Sequence, residues 1–100
     1  MVEDSTGEGI SLAAGADGRA SANILDIWVA HNTVCHNAGT DISGEGGTSA
    51  HPPLPPNLGT GNLLEGRIFE NTATTVGVQD GAGTPGNQAN VTQFNNVPCP

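Results

Sequence analysis

Eleven residues of this chain occur twice. Asn23–Thr33 reads N-I-L-D-I-W-V-A-H-N-T, and 39 positions later Asn62–Thr72 reads N-L-L-E-G-R-I-F-E-N-T. Asn23/Asn62, Leu25/Leu64, Asn32/Asn71 and Thr33/Thr72 are identical, while Ile24/Leu63, Asp26/Glu65 and Val29/Ile68 are conservative. A repeat at a fixed interval constrains a fold more than composition does, because units that cannot bury an apolar face alone can bury it against their own copies.

Within each copy the period is two. Leu25, Ile27 and Val29 share one side and Asp26, Trp28 and Ala30 the other; Leu64, Gly66 and Ile68 likewise oppose Glu65, Arg67 and Phe69. That is the period of a strand, and the β-branched residues and Gly66 disfavour a helix. In-register stacking places Leu25 on Leu64 and Val29 on Ile68 at a spacing of roughly 4.8 Å. It also places Asn32 on Asn71. Stacked asparagines form side-chain ladders, and Asn tolerates the left-handed backbone of a corner.

The gap of nine between asparagines recurs at Asn87 and Asn96, which suggests a third copy 25 positions after the second. Asn23, Asn32, Asn62, Asn71, Asn87 and Asn96 are therefore the expected corners. The longer first interval carries extra residues, and the Gly/Pro-rich stretch 44–61 is the place for them. Pro cannot serve in a central ladder, so H-P-P-L-P-P from His51 is expected to loop out as extended backbone. A binding loop and a tolerated insertion both fit it.

N-I-x-D-I-x-V-A-H-N-T-V-C-H-N followed by G-T-D-I-S-G-E-G-G resembles bacterial right-handed parallel β-helix repeat proteins. So do G-N-L-L-E-G-R-I-F-E-N-T and V-T-Q-F-N-N-V-P-C-P. The resemblance, to chains of pectate-lyase-like architecture, implies an all-β, right-handed parallel β-helix solenoid of three to four short coils with one long Pro/Gly-rich loop. It assigns residues 1–8 to a frayed acidic N-terminus and 9–100 to the β-helix. It further implies a secreted or cell-surface protein, of which this chain is the C-terminal segment. Neighbouring coils, or other copies meeting its open ends, are then the expected partners. The family holds polysaccharide-processing enzymes, tailspikes and adhesin-like stalks, and no catalytic motif transfers residue by residue.

Charge narrows the partners. Ten acidic residues against two arginines and no lysine give −8. Nucleic acid and anionic membrane surfaces both require cationic side chains, so neither is an expected partner. Met1–Gly9 lacks the basic and apolar regions of a signal peptide, and no apolar run reaches transmembrane length. Cys35 and Cys99 permit one disulfide without requiring it. Asn90-Val91-Thr92 is a glycosylation sequon that matters only in a eukaryotic secretory pathway.

Three side-chain groups carry candidate chemistry. Asp26 over Glu65 sets two carboxylates side by side, suited to acid/base work on a glycan or to calcium. Asp41 is a third candidate acid. Trp28 over Arg67 allows a cation–π contact, and Trp28 with Phe69 offers a sugar-stacking platform. His31, Cys35 and His36 are ligand types for zinc or copper, with His51 the distant fourth, but the spacing matches no closed zinc motif. Against these stand plain readings: a solvated acidic face, cross-strand packing, and surface histidines beside a small buried Cys.

The expectation is a non-enzymatic extracellular structural or adhesive segment with a weak carbohydrate face. The alternatives are part of a polysaccharide lyase or hydrolase acting through Asp26, Glu65 and Asp41, and a calcium-stabilised surface module. Calcium is the one cofactor that the sequence leaves open.

Overall fold

In a computed structural model of the chain, residues 1–15, 23–47, 61–81 and 86–100 are described. Most of the expected loop, with His51, lies outside them. Nine strands follow in order: β1 (Val2–Glu3), β2 (Ile10–Ala13), β3 (Ile24–Ala30), β4 (Thr33–Cys35), β5 (Ile42–Glu45), β6 (Leu63–Phe69), β7 (Thr72–Ala73), β8 (Val76–Gln79) and β9 (Gln88–Phe94). The described residues contain no helix.

The strands form three parallel three-stranded sheets, β1-β4-β7, β2-β5-β8 and β3-β6-β9. The chain visits these sheets in rotation and completes three circuits, an arrangement compatible with a β-helix. Sequence neighbours such as β3 and β4 thus lie in different sheets, and every pairing is made one circuit away. β3 pairs β6 with Leu25 on Leu64 and Val29 on Ile68, the 39-residue offset of the repeat. β6 pairs β9 with Leu64 on Ala89 and Phe69 on Phe94, the 25-residue offset of the third copy. A single bridge from Thr72 to Val97 begins a further rung on the first sheet.

The alternation separates core from surface. Ile27, Val29, Leu64 and Ile68 from the repeat pack with Val34, Ile42 and Ala73 from the other two sheets. Val34, Ile42, Leu64 and Ile68 are fully buried. Each such side chain stabilises by about 1.5–3 kcal/mol. Gly66 faces Ile27 with a positive φ of 123°, and a Cβ there would run into the Ile27 carbonyl oxygen. Glycine is required at that rung because the neighbouring backbone occupies the space of a side chain.

Three boundaries differ from the sequence reading. Val2 and Glu3 do not fray but pair with Val34 and Cys35. Gly44 and Glu45 complete β5 rather than opening the loop. β9 starts at Gln88, although two Gln residues spoil its pattern. Position on the stack, not apolar alternation, sets that strand.

Candidate functional site

The outer face of β3-β6-β9 is a grid fixed by register. One row is Asp26, Glu65 and Asn90; the next is Trp28, Arg67 and Thr92; the next is Ala30, Phe69 and Phe94. All three aromatic residues of the chain, Trp28, Phe69 and Phe94, lie on this face. Phe69 and Phe94 stack with centroids 4.8 Å apart and planes 13° apart. Trp28 meets Phe69 edge-on at 5.1 Å. These contacts bury Phe69 although it points away from the core, because Ala30 in the same row is too small to fill the space beside it. Stacked and edge-on pairs of this kind add about 0.5–1.5 kcal/mol beyond burial.

Trp28 itself is 69% exposed. The Arg67 guanidinium lies over its ring, 5.6 Å from the centroid, within cation–π range. At the edge of the face His31 approaches Glu70, with Nδ1 3.3 Å from Oε2, and both are exposed, so the pair adds little stability. Trp28, Arg67 and Phe69, the sequence-derived ligand candidates, are therefore brought together. Phe94 was missed by that reading. The offset that sets Asn96 under Asn71 also sets Phe94 under Phe69, so the signal was present.

The corners hold this face in place. Ahead of the sheet, Asn23 donates its N–H and Nδ2 to Asn62 Oδ1 at 3.0 and 3.1 Å. Asn62 donates the same way to Asn87 Oδ1 at 2.9 and 3.1 Å. Behind the sheet, Asn32 donates to Asn71 Oδ1 and Asn71 to Asn96 Oδ1 in the same pattern, with distances from 3.0 to 3.2 Å. The left-handed backbone falls on the residue before each of these: His31, Glu70 and Asn95 have φ of 59°, 54° and 55°. The asparagines leave the turning to their neighbours and spend their side chains on the ladder.

The acid candidates separate. Asp26 and Glu65 sit side by side on the open grid. Asp41 is buried at the turn into β5, on another sheet. Its Oδ1 accepts from Asn37 Nδ2 at 3.1 Å, and its Oδ2 accepts from Thr74 N and Thr75 N at 2.9 and 3.2 Å. Asn37 in turn accepts from Ser5 N at 3.0 Å, so one chain of polar groups ties three circuits together at this corner. Burial alone would raise the Asp41 carboxyl. The hydrogen bonds from the Asn37 side chain and from the Thr75, Thr74 and Asn37 backbones outweigh it and hold the carboxyl below its ordinary 3.8.

A carboxyl lowered by folding stabilises above its unfolded value, and that stability is lost as pH falls through the lowered one. The melting temperature should therefore drop below about pH 4. Asp41→Asn should remove that component of the drop and cost about 2–3 kcal/mol at pH 7, since its amide would face the Asn37 amide. Melts of both proteins from pH 7 to pH 2 measure both effects.

His31, Cys35 and His36 do not form a ligand set. His31 and His36 are exposed at two different corners. Cys35 is bonded to Cys99 and offers no thiolate. Among the described residues no group of three or more His, Cys, Asp or Glu is placed to hold a metal ion. The disulfide skips a circuit: β7 ends at Ala73, the chain turns away at Thr74, and Cys99 reaches Cys35 through the space left.

A concave feature lies outside β5 and β8. It is a groove of about 210 Å³ lined by Glu8, Thr40, Ser43, Glu45, Gly77 and Gln79, among others. Glu45 Oε2 accepts from Gln79 Nε2 across it at 3.1 Å.

No protein-family model, curated protein or solved structure matches this chain.

Proposed function

We propose that this chain is a segment of a right-handed parallel β-helix that serves as an extracellular structural or adhesive stalk and contacts glycans through the outer face of β3-β6-β9. The observation that carries the reading is the exposed ring of Trp28, which meets Phe69 edge-on on the face where Phe69 stacks with Phe94. Trp28 and Phe94 leave exposed aromatic surface on one sheet face, and exposed apolar patches mark contact sites. Arg67 lies over part of the ring and the rest is open to water; polar groups that can bind hydroxyls flank it on the same face: Asp26, Glu65, Asn90 and Thr92. Sugars combine an apolar ring face with a polar rim, which matches this pattern.

Two features favour a binding surface outside the cell over an enzyme. The Cys35–Cys99 disulfide suits an oxidising compartment. Asp26 and Glu65 stand on a sheet face without walls, whereas two-carboxylate catalysis needs groups on both sides of a held bond.

Trp28 is the only tryptophan, so its fluorescence reports directly on this face. Titration with soluble polysaccharides should shift and saturate the emission. Trp28→Ala should abolish retention on the same polysaccharide immobilised, with the fold intact by circular dichroism. Retention unchanged by Trp28→Ala would refute the reading.

A further inference from the structure

We infer that the glycan bound by this face is cationic, an amino-sugar polymer rather than a uronate or a neutral chain. This rests on the proposal that the β3-β6-β9 face binds glycan, and it names the class.

The charge on the face is uneven. Asp26 and Glu65 are direct neighbours in register, one row from Trp28. Glu70 stands at the corner beyond Phe69, next to exposed His31. Against these carboxylates the strand face carries one guanidinium, Arg67, and that group already lies over the Trp28 ring. Like charges directly opposite on neighbouring strands destabilise a sheet, so the Asp26/Glu65 pair is a cost that a bound cation relieves.

Protonated amino sugars meet the Trp28 ring and this carboxylate pair at once. Their ring carbons pack on Trp28 while an ammonium group reaches the Asp26/Glu65 row. The uncharged Asn90 and Thr92 complete those two rows on β9 and suit the remaining hydroxyls. A uronate chain would bring its carboxylates against Asp26 and Glu65 in a molecule that already carries −8. The charge complementarity therefore selects against acidic glycans as well as for basic ones.

The test uses the whole chain and three soluble probes: a partly deacetylated N-acetylglucosamine polymer, a polygalacturonate and a neutral glucan. Trp28 emission follows each, and calorimetry follows the variants that lack or alter the ring. The inference expects the aminated polymer to bind tightest. Affinity should weaken roughly tenfold or more between 0.05 and 0.5 M salt, because exposed charges are screened. Asp26→Asn with Glu65→Gln should weaken it about as much.

Binding of the neutral glucan as tightly as the aminated polymer would overturn the inference and leave the glycan-binding proposal standing. So would preference for polygalacturonate. Binding of none of the three would overturn both. Binding of the aminated polymer that survives Trp28→Ala would mean general attraction to an acidic protein, and would also overturn the inference.

Discussion

Reduction of the Cys35–Cys99 disulfide will lower the unfolding free energy by about 4 kcal/mol. The bond closes a loop across 64 positions of sequence, so most of its effect comes from restricting the unfolded chain. That is a large share of the about 5–15 kcal/mol typical of a domain. The folded state should also loosen locally. Val97 donates to Asn71 O at 2.9 Å and accepts from Ala73 N at 2.8 Å, and Cys99 anchors this segment to β4. Chemical denaturation with and without reductant, repeated on Cys35→Ser/Cys99→Ser, measures the global term. Hydrogen exchange at Ala73 and Val97 measures the local one. A loss under about 1 kcal/mol would mean that the segment from Val97 to Cys99 is held by its hydrogen bonds alone.

Asn71→Ala will cost about 3–4 kcal/mol. Asn71 is buried, and its side chain serves both neighbouring circuits. Truncation leaves Asn32 N without its acceptor, takes the Asn71 Nδ2 donor from Val29 O, and removes one of two partners from Asn32 Nδ2, which keeps Ala30 O, and from Asn96 Oδ1, which keeps Asn71 N. Each buried polar group left without a partner costs about 1–3 kcal/mol. Asn71→Asp should fare no better, since its second carboxylate oxygen would face the Val29 carbonyl and Asn96 Oδ1. Asn23→Ala makes the contrast: Asn23 is exposed at the end of its ladder, and its loss should cost about 1 kcal/mol. Urea unfolding of the three variants measures the order. Equal losses at Asn71 and Asn23 would show that the ladders are incidental to stability.

Much of this architecture is legible in the residues. The 39-residue repeat and the nine-residue gap between asparagines specify the register of β3, β6 and β9, because with a side-chain period of two a one-residue slip would turn the apolar set outward. What escaped depends on neighbours distant in sequence. Asp41 reads as a free acid until Thr74 and Thr75 are known to turn against it. The left-handed corner was expected at Asn32 but falls on His31, since an asparagine committed to the ladder leaves the turn to the residue before it. The pairs His31-Asn32 and His36-Asn37 show the same pattern, with φ of 59° and 61° at the histidines, and would have marked both corners. The disulfide was open because nothing in sequence shows that β7 stops after two residues and exposes Cys35 to Cys99. The aromatic stack is a mixed case: Phe69 was found, while its partner needed the third copy to be taken at full length.

Each strand pairs one circuit away, in parallel and in register, and not with its sequence neighbour. Backbone nuclear Overhauser contacts read that pairing. Contacts are expected between the strand residues Trp28, Arg67 and Thr92, at offsets of 39 and 25, with the parallel pattern. Contacts between β3 and β4 in an antiparallel pattern, or between β3 and β6 at any other offset, would contradict it.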